Sequence, residues 1–370
     1  MGEPLKDIYH EQFFKTFAQK VHQVYPAFST NSFVEDIMNE DWEKLELKKR
    51  IRHISITLGK HLPANFEEAI AVLYQIDETC VGFPYLFFPD FIEVYGQKEE
   101  HWELSMAALQ RFTSKSSSEF AIRPFILLDP ERAMNQMKSW ATHSNEHVRR
   151  LASEGCRPSL PWGQALPIFK KDPTPPLSIL EILKNDPSLY VRKSVANNLN
   201  DIAKDNPSVV LETARRWKGV TPGTDWIIRH GCRTLIRQAN PEVLTLFGYT
   251  KINNPEDLFS VTSLSLSPSH VTIGEANELE YELHIREGAH VHIRIEYGID
   301  FIKSRGTTSR KLFLLSDREV PGGSTIKKQR KLNWNDLSTR KHYPGEHKIV
   351  LLVNGVEVAE DIVELKAKDN

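Results

Sequence analysis

Apolar residues recur every three or four positions along the chain up to about residue 247, and Pro, Asn and Asp mark the breaks between these stretches. The segment "WEKLELKKRIRHISITLGKHL" is typical, with an apolar stripe along one face of a helix and charged residues on the other. Runs that alternate apolar and polar residues are rare in this part. The pattern predicts a helical region over residues 1–247.

Three segments in the middle of this region resemble one another: "EHVRRLASEG", "LYVRKSVANN" and "WIIRHGCRTL". When Val148, Val191 and Ile228 are aligned, each is followed by an arginine, at spacings of 43 and 37 residues. A period near 40, with an aliphatic–arginine pair opening the second helix, is typical of HEAT-type repeats, which stack into a curved α-solenoid. The apolar stripes leave several charged residues on faces that we expect to be exposed: Arg149, Arg150, Glu154, Arg192 and Lys193.

After "NNPEDLF" the hydrophobic period changes to two, as in "ELEYELHIRE" and "HVHIRIEYGID". About seven strands in roughly 110 residues, separated by Gly, Pro and Asn turns, favour an immunoglobulin-like β-sandwich. The segment lacks a Cys-Trp-Cys signature, so its strand order stays open. We therefore predict a multidomain α-then-β chain, with a HEAT-like solenoid at 1–247, a linker at 248–260 and an immunoglobulin-like β-sandwich at 261–370.

The net charge of −2 conceals an asymmetry along the chain. Residues 1–137 carry about −7, residues 138–238 about +7 and the remainder about −2, so the middle of the solenoid is a basic block. Such a block on a repeat surface indicates an anionic partner. Two further basic clusters, "KSRGTTSRK" and "KKQRK", are predicted at hairpins of the sandwich.

Three cysteines, Cys80, Cys156 and Cys232, lie far apart without paired CxxC spacing, which favours small core residues in a reducing cytoplasm. A charged N-terminus and the lack of long apolar runs favour a soluble intracellular protein without a membrane partner. The segment "HSNEH" matches the H-x-x-E-H pattern of inverted zincins. However, the repeat register places His143 to Asn145 in a turn rather than on one helical face, so no metal is expected.

Long stretches of residues 83–240 resemble the AlkC branch of the HEAT-like-repeat DNA alkylation-repair glycosylases. The resemblance is carried by "FFPDFIEVYG", "SMAALQRFTSKSSSEFAIRPFI", "SNEHVRRLASEGCRPSLPWGQALP", "DPSLYVRKSVANNLNDIAKDNP" and "WIIRHGCRTL". The opening "PLKDIYHEQFF" also fits the start of that family, and many members carry a C-terminal immunoglobulin-like domain.

This resemblance implies a monofunctional DNA glycosylase of base excision repair, which removes cationic N3-alkylated bases such as 3-methyladenine and 3-methylcytosine. It implies double-stranded DNA as the partner and neither metal nor cofactor, and we expect a monomer in the bacterial cytoplasm. The acidic residues at the lesion would be Glu119, Glu154 and Asp201, with Trp162 in contact with the lesion. Three points stay open: the relative preference for adenine and cytosine lesions, whether the base is extruded from the DNA, and which carboxylate positions the water.

The chemistry of the reaction agrees with these residue types. A base alkylated at N3 is cationic and already a good leaving group, so the remaining task is to stabilise an oxocarbenium-like sugar and to direct water to it, which fixed carboxylates can do. Trp162 would add a cation–π or stacking face.

Each residue also has a plain structural interpretation. Glu154 lies four residues after Arg150 and would form a surface ion pair, whereas Glu119 ends a capping-box pattern, "SSSE". Asp201 lies near a helix end, and Trp162 would plug the interface between two repeats.

The basic residues predicted to bind DNA lie on both domains: Arg149, Arg150, Arg157, Arg192, Lys193 and Arg229 on the solenoid, and Lys303, Arg305, Lys327 and Lys328 on the sandwich. The alternative function is a non-catalytic HEAT scaffold that binds DNA or a protein partner.

Overall fold

The computed structural model describes residues 4–288, 290–337 and 340–368, and the chain divides into two compact units, Met1–Gly231 and Cys232–Asn370. The first unit is helical and the second is built around β-strands, in the α-then-β order expected. No helix among the described residues is both long and apolar enough to cross a membrane.

The helices of the first unit are α1 Glu11–Val24, α2 Thr30–Ile37, α3 Leu47–His61, α4 Phe66–Ile76, α5 Phe87–Tyr95, α6 Trp102–Phe112, α7 Ile122–Leu128, α8 Pro130–Ala141, α9 Glu146–Gly155, α10 Pro167–Lys171, α11 Thr174–Leu183, α12 Leu189–Asp205, α13 Pro207–Trp217 and α14 Pro222–Gly231. Short 3-10 helices lie at Leu5–Ile8, Trp42–Lys44, Asp77–Thr79, Phe83–Tyr85 and Glu99–His101.

The repeat region consists of helix pairs α8–α9, α11–α12 and α13–α14. The second helices form one layer, because α12 packs against both α9 and α14. Val148, Val191 and Ile228 are buried as the repeat predicts. The third pair departs from the expected position, however, since Ile228 lies late in α14, whereas Val148 and Val191 are the third residues of α9 and α12.

The arginine that follows each buried valine folds back on the turn before its own helix. Arg149 Nη1 donates to the carbonyl oxygens of His143 and Ser144, at 2.9 and 2.8 Å. Arg192 Nη1 donates in the same way to Asp186 and Pro187, at 2.7 and 2.8 Å. Both arginines are half-buried, so the prediction that they lie on exposed faces was wrong.

A second bond links the two repeats. Arg149 also forms a two-point ion pair with the buried carboxylate of Asp186, from Nε to Oδ2 at 2.6 Å and from Nη2 to Oδ1 at 3.1 Å. The same Asp186 Oδ1 accepts the backbone N–H of Ser188, the residue that caps α12. Arg149 therefore ties the turn before α9 to the turn before α12.

The second unit contains α15 Arg233–Arg237, α16 Pro241–Leu246 and α17 Pro255–Leu258, followed by strands β1 Phe259–Ser267, β2 His270–Thr272, β3 Ala276–Ile285, β4 Val291–Ile302, β5 Thr308–Val320, β6 Thr325–Asn333, β7 Gly345–Val353 and β8 Val356–Lys366. The strands form a three-stranded sheet, β1-β3-β6, and a five-stranded sheet, β2-β8-β7-β4-β5. All pairings are antiparallel except that of β2 with β8.

Two expectations about this unit differ from the structure. The compact second unit begins at Cys232, before the predicted solenoid end at 247, and the predicted linker at 248–260 packs within the unit. Tyr249, for example, is buried, and its hydroxyl donates to Asp317 Oδ2 at 2.8 Å. "KKQRK" was predicted at a hairpin but lies inside β6, an edge strand, whereas Lys303 and Arg305 do lie in the exposed β4–β5 turn.

All three cysteines are buried and unpaired, as expected of small core residues. Burial raises the pKa of the Cys156 thiol to about 12, which keeps it protonated at neutral pH.

Two histidines are buried in the core of the second unit, beside Trp334. The ring centroids of His342 and His347 each lie 5.4 Å from that of the indole. Burial lowers the pKa of both imidazoles, and the charge of Arg340 adds to the effect at His342. Both rings are therefore neutral in the folded unit at neutral pH.

We expect the second unit to lose stability in mild acid. The unfolded chain binds protons at these histidines near the ordinary pKa of 6.5, whereas the folded unit binds them only at lower pH. The histidines therefore do not weaken the fold above about pH 6.5, and the free energy of unfolding decreases as the pH drops below this value. Amide hydrogen exchange in β4 and β7 of the full chain should accelerate from pH 7.5 to 5.5. His342→Phe should weaken this pH dependence, and exposed His290→Gln should leave it intact; equal behaviour of the two variants would contradict the assignment.

Candidate active site

The three carboxylates singled out by the sequence come from different parts of the first unit. Glu154 lies in the last turn of α9, Asp201 lies in α12, and Glu119 lies in the turn before α7. Helix α7 begins at Ile122, so Glu119 does not occupy the third position of a helix that starts at Ser116. The capping-box interpretation of "SSSE" is therefore wrong.

Two arginines join these carboxylates into one chain of ion pairs. Arg150 binds Glu119 through Nη1, and its Nη2 lies 3.5 Å from Glu154 Oε1. Arg157 Nη1 donates to Glu154 Oε1 at 2.6 Å, and its Nε and Nη2 both lie 2.7 Å from Asp201 Oδ2. We call the five residues Glu119, Arg150, Glu154, Arg157 and Asp201 the carboxylate–arginine chain.

The carboxylate–arginine chain is largely removed from water. Glu154 and Asp201 are 5% and 2% exposed, and Arg157 is 7% exposed. The prediction that Glu154 lies on an exposed face was wrong, because α12 covers that face of α9. Glu154 is therefore a buried group shared by two arginines rather than half of a surface pair with Arg150.

The carboxylates hold their arginines firmly in the charged form. Burial lowers the pKa of Arg150, but Glu119 and Glu154 outweigh it and leave that pKa above its ordinary value. Burial also lowers the pKa of Arg157, but Glu154 and Asp201 outweigh this effect and leave that pKa above its ordinary value. Each guanidinium is thus a permanent cation that offsets the burial of its carboxylates.

Helix α12 adds neutral polar groups that sequence reasoning missed. Ser194 Oγ lies 2.6 Å from Glu154 Oε2 and 2.9 Å from Ser153 Oγ, and Asn198 Nδ2 donates to Ser153 O at 2.8 Å. Ser194 therefore fixes the Glu154 oxygen opposite the one that binds Arg157. The signal available in the sequence is the i,i+4 spacing of Ser194 and Asn198 beside the apolar stripe of the same helix.

Trp162 is displayed on the loop that follows α9. Its side chain is 58% exposed, so the interpretation as a plug between two repeats is wrong. Arg123, which is buried, spans the ends of this loop by donating to Gly155 O at 2.9 Å and to Gln164 O. Burial lowers the pKa of Arg123 to about 10, a value at which the guanidinium stays charged at neutral pH.

A cavity of about 290 Å³ lies beside Trp162. Its lining also includes Ser117 and Phe120, which flank Glu119. Residues of α3 and α5 line it as well.

The predicted DNA contacts are not equivalent in the structure. Arg149 and Arg192 bind the turns described above, and Arg150 and Arg157 belong to the carboxylate–arginine chain. Lys327 is paired with Glu280 at 2.9 Å and Glu282 at 3.7 Å across the sheet. The remaining predicted contacts are Lys193, Lys303, Arg305 and Lys328, which are exposed, and Arg229, which is half-buried in α14.

This arrangement is suited to stabilising positive charge without transferring a proton. Three carboxylates, each restrained by a cation or a hydroxyl, form a fixed array that need not reorganise when a cation develops beside it. The described residues bring together no group of three or more His, Cys, Asp or Glu side chains that would hold a metal ion.

The fold and the buried chain of charges define the molecule as a HEAT-like-repeat protein with a C-terminal immunoglobulin-like domain. Residues 260–367 match the family model of the C-terminal Ig-like domain of the uncharacterised protein YhaZ. YhaZ of Bacillus subtilis (strain 168) is 43% identical over 351 residues, which cover 95% of this chain and 96% of that protein.

The solved structures include a match over nearly the whole chain. The Pseudomonas fluorescens alkylpurine DNA glycosylase AlkC, bound to DNA containing an abasic site analogue, is 37% identical, with a TM-score of 0.92. The match covers 99% of this chain and 100% of that one. The chain belongs to the family of AlkC and YhaZ.

Replacing Arg157 with Met should destabilise the first unit by about 3–5 kcal/mol, because it leaves the buried carboxylates of Glu154 and Asp201 without their shared cation. Urea unfolding would measure the loss. Lys204→Met is the matched control: Lys204 binds Asp201 Oδ1 at 2.8 Å from a half-exposed position, and its removal should cost less than about 1 kcal/mol. Equal losses would contradict this account.

Proposed function

We propose that this protein is a monofunctional alkylpurine and alkylpyrimidine DNA glycosylase that hydrolyses the N-glycosidic bond of cationic N3-alkylated bases in DNA, including 3-methyladenine and 3-methylcytosine. The observation that carries the proposal is the carboxylate–arginine chain, three carboxylates held in place within a scaffold that matches AlkC from end to end. A monofunctional hydrolase needs from such a site only electrostatic stabilisation and an oriented water.

The substrate's own charge explains why carboxylates dominate the site. An N3-alkylated base leaves as a neutral molecule once the glycosidic bond breaks, so it does not require a general acid. Positive charge then moves to the sugar, where Glu154 and Asp201 would stabilise it. A neutral base lacks the initial charge, and the same carboxylates give it no comparable help.

The arginines have a second task in this scheme. Without Arg150 and Arg157 the carboxylates would repel one another and the phosphates of DNA, and nothing would offset the cost of burying their charges. The arginines offset that cost and fix the carboxylates in position. Ser194, which binds Glu154 Oε2, orients the carboxylate that also contacts both arginines.

DNA binding is assigned to basic residues that the fold leaves exposed to water. These are Lys193 on the repeats and Lys303, Arg305 and Lys328 on the second unit, to which half-buried Arg229 of α14 is added. Arg149, Arg192 and Lys327 are withdrawn from this set because their bonds lie within the protein. Trp162, exposed on its loop, supplies the aromatic face toward a damaged nucleotide.

Glu154→Gln and Asp201→Asn should each reduce single-turnover release of 3-methyladenine or 3-methylcytosine at least about a hundredfold, because each removes a fixed negative charge at the developing cation. DNA affinity should stay the same or rise. Asp205→Asn, four residues further along α12 and exposed, is the matched control and should be fully active. If wild-type protein releases no base at low salt, the chain acts instead as a DNA- or protein-binding scaffold.

Replacing both Lys303 and Arg305 with Ser should weaken binding to DNA without slowing base release in the bound complex. Two fewer phosphate contacts should reduce the slope of log affinity against log salt by about 1.8. Fluorescence anisotropy over a salt series measures the slope. An unchanged slope would remove the β4–β5 turn from the DNA-binding surface. Lys327→Ser is the comparison, and it should change the slope less because Glu280 already neutralises it.

A further inference from the structure

Trp162 has an unusual backbone for a large aromatic residue. Its φ of 63° lies in the left-handed region, where residues other than glycine are strained. Since the side chain is 58% exposed, packing alone does not compensate for this strain. The backbone of the loop supports this conformation, because Gly163 N–H donates to Leu160 O at 3.0 Å and closes a turn in which Trp162 follows Pro161, a turn position that accommodates a positive φ.

A contact from outside the loop comes from Lys48 on α3, 114 residues earlier in the chain. The Lys48 ammonium donates a hydrogen bond to the carbonyl oxygen of Trp162 and lies 5.0 Å from the centroid of the Phe120 ring. A cation held between a carbonyl dipole and an aromatic face is restrained from two sides. Lys48 thus links α3, the turn that contains Glu119 and the carbonyl of the strained residue.

The cavity of about 290 Å³ gives this link its importance. Trp162, Phe120 and Lys48 all contribute to its lining, so open space lies directly beside the indole. Arg123 holds the two ends of the loop at Gly155 and Gln164. Backbone hydrogen bonds from Gly163 N–H to Leu160 O and from Leu166 N–H to Pro158 O shape the middle of the loop, and Lys48 ties that middle to α3 beside the cavity.

We infer that Lys48 is a positioning residue, which acts through Trp162 by anchoring the turn that carries it to α3, so that the indole is presented to the damaged nucleotide. The inference rests on the proposed function for its effect on catalysis. Its structural part, the dependence of the indole's position on Lys48, does not require activity. Misplacement of a substrate-contacting group by about 1 Å is sufficient to slow a reaction severely.

Fluorine NMR of protein labelled with 5-fluorotryptophan tests the structural part. Trp162→Phe identifies the resonance of Trp162, and Lys48→Met should shift or broaden that resonance alone. Lys49→Met, which removes an exposed neighbouring charge on the same helix, should leave it unchanged. An unmoved Trp162 resonance in Lys48→Met would overturn the inference whether or not the protein releases bases.

Single-turnover base release tests the catalytic part by comparing each variant with wild-type protein. If wild-type protein itself releases no base, the proposed function is refuted rather than this inference. Lys48→Met should slow release about tenfold at saturating enzyme. Lys48→Arg should restore most of the rate, because arginine can donate to the carbonyl and stack on Phe120. Lys49→Met should match wild type, and thermal melting should be the same for all four proteins because both lysines are exposed.

A double-mutant cycle decides whether Lys48 acts through Trp162. In a Trp162→Ala background, Lys48→Met should produce no further loss, because the group that it positions is gone. An additional tenfold loss in that background, or equal losses for Lys48→Met and Lys49→Met, would mean that Lys48 serves only as a positive charge near DNA.

Discussion

A carboxylate can remain charged inside a protein only if a cation is held against it. The first unit meets this requirement with Arg150 and Arg157, each of which contacts two acids. Because Arg157 joins Glu154 of one repeat to Asp201 of the next, the docking of α9 on α12 and the assembly of the site are the same event. The geometry of the helices and the electrostatics of the site therefore depend on each other.

The sequence predicts the elements well because their patterns are local. Val148 and Val191 recur in a helical period, and the β-sandwich strands alternate, so burial of one face follows directly from spacing. Glu154 shows where this reasoning stops. Its own helix places it outside the apolar stripe, and only the packing of α12 across that second face buries it. Contacts between distant segments leave no periodic signal in either of them.

The same limit applies to charge. A basic block predicts an anionic partner, but the sequence does not say which arginines the fold uses for itself. Arg149 is bound to Asp186, 37 residues away, and Lys327 is bound to Glu280 on a neighbouring strand. The predicted boundary at 247 and the division after Gly231 differ for a related reason, since the helical residues 233–246 pack with the second unit although their own pattern resembles that of the solenoid.

The arginines that fold back on the turns before α9 and α12 have a consequence for how such a solenoid can diversify. Arg149 and Arg192 each bind two backbone carbonyls, and Asp186 is the turn side chain that Arg149 also binds. Turn residues that take no part in such bonds can change while the shape of the turn is kept. A framework of this kind can acquire new surface chemistry in one repeat without altering the path of the chain, and so offers different ligands the same support.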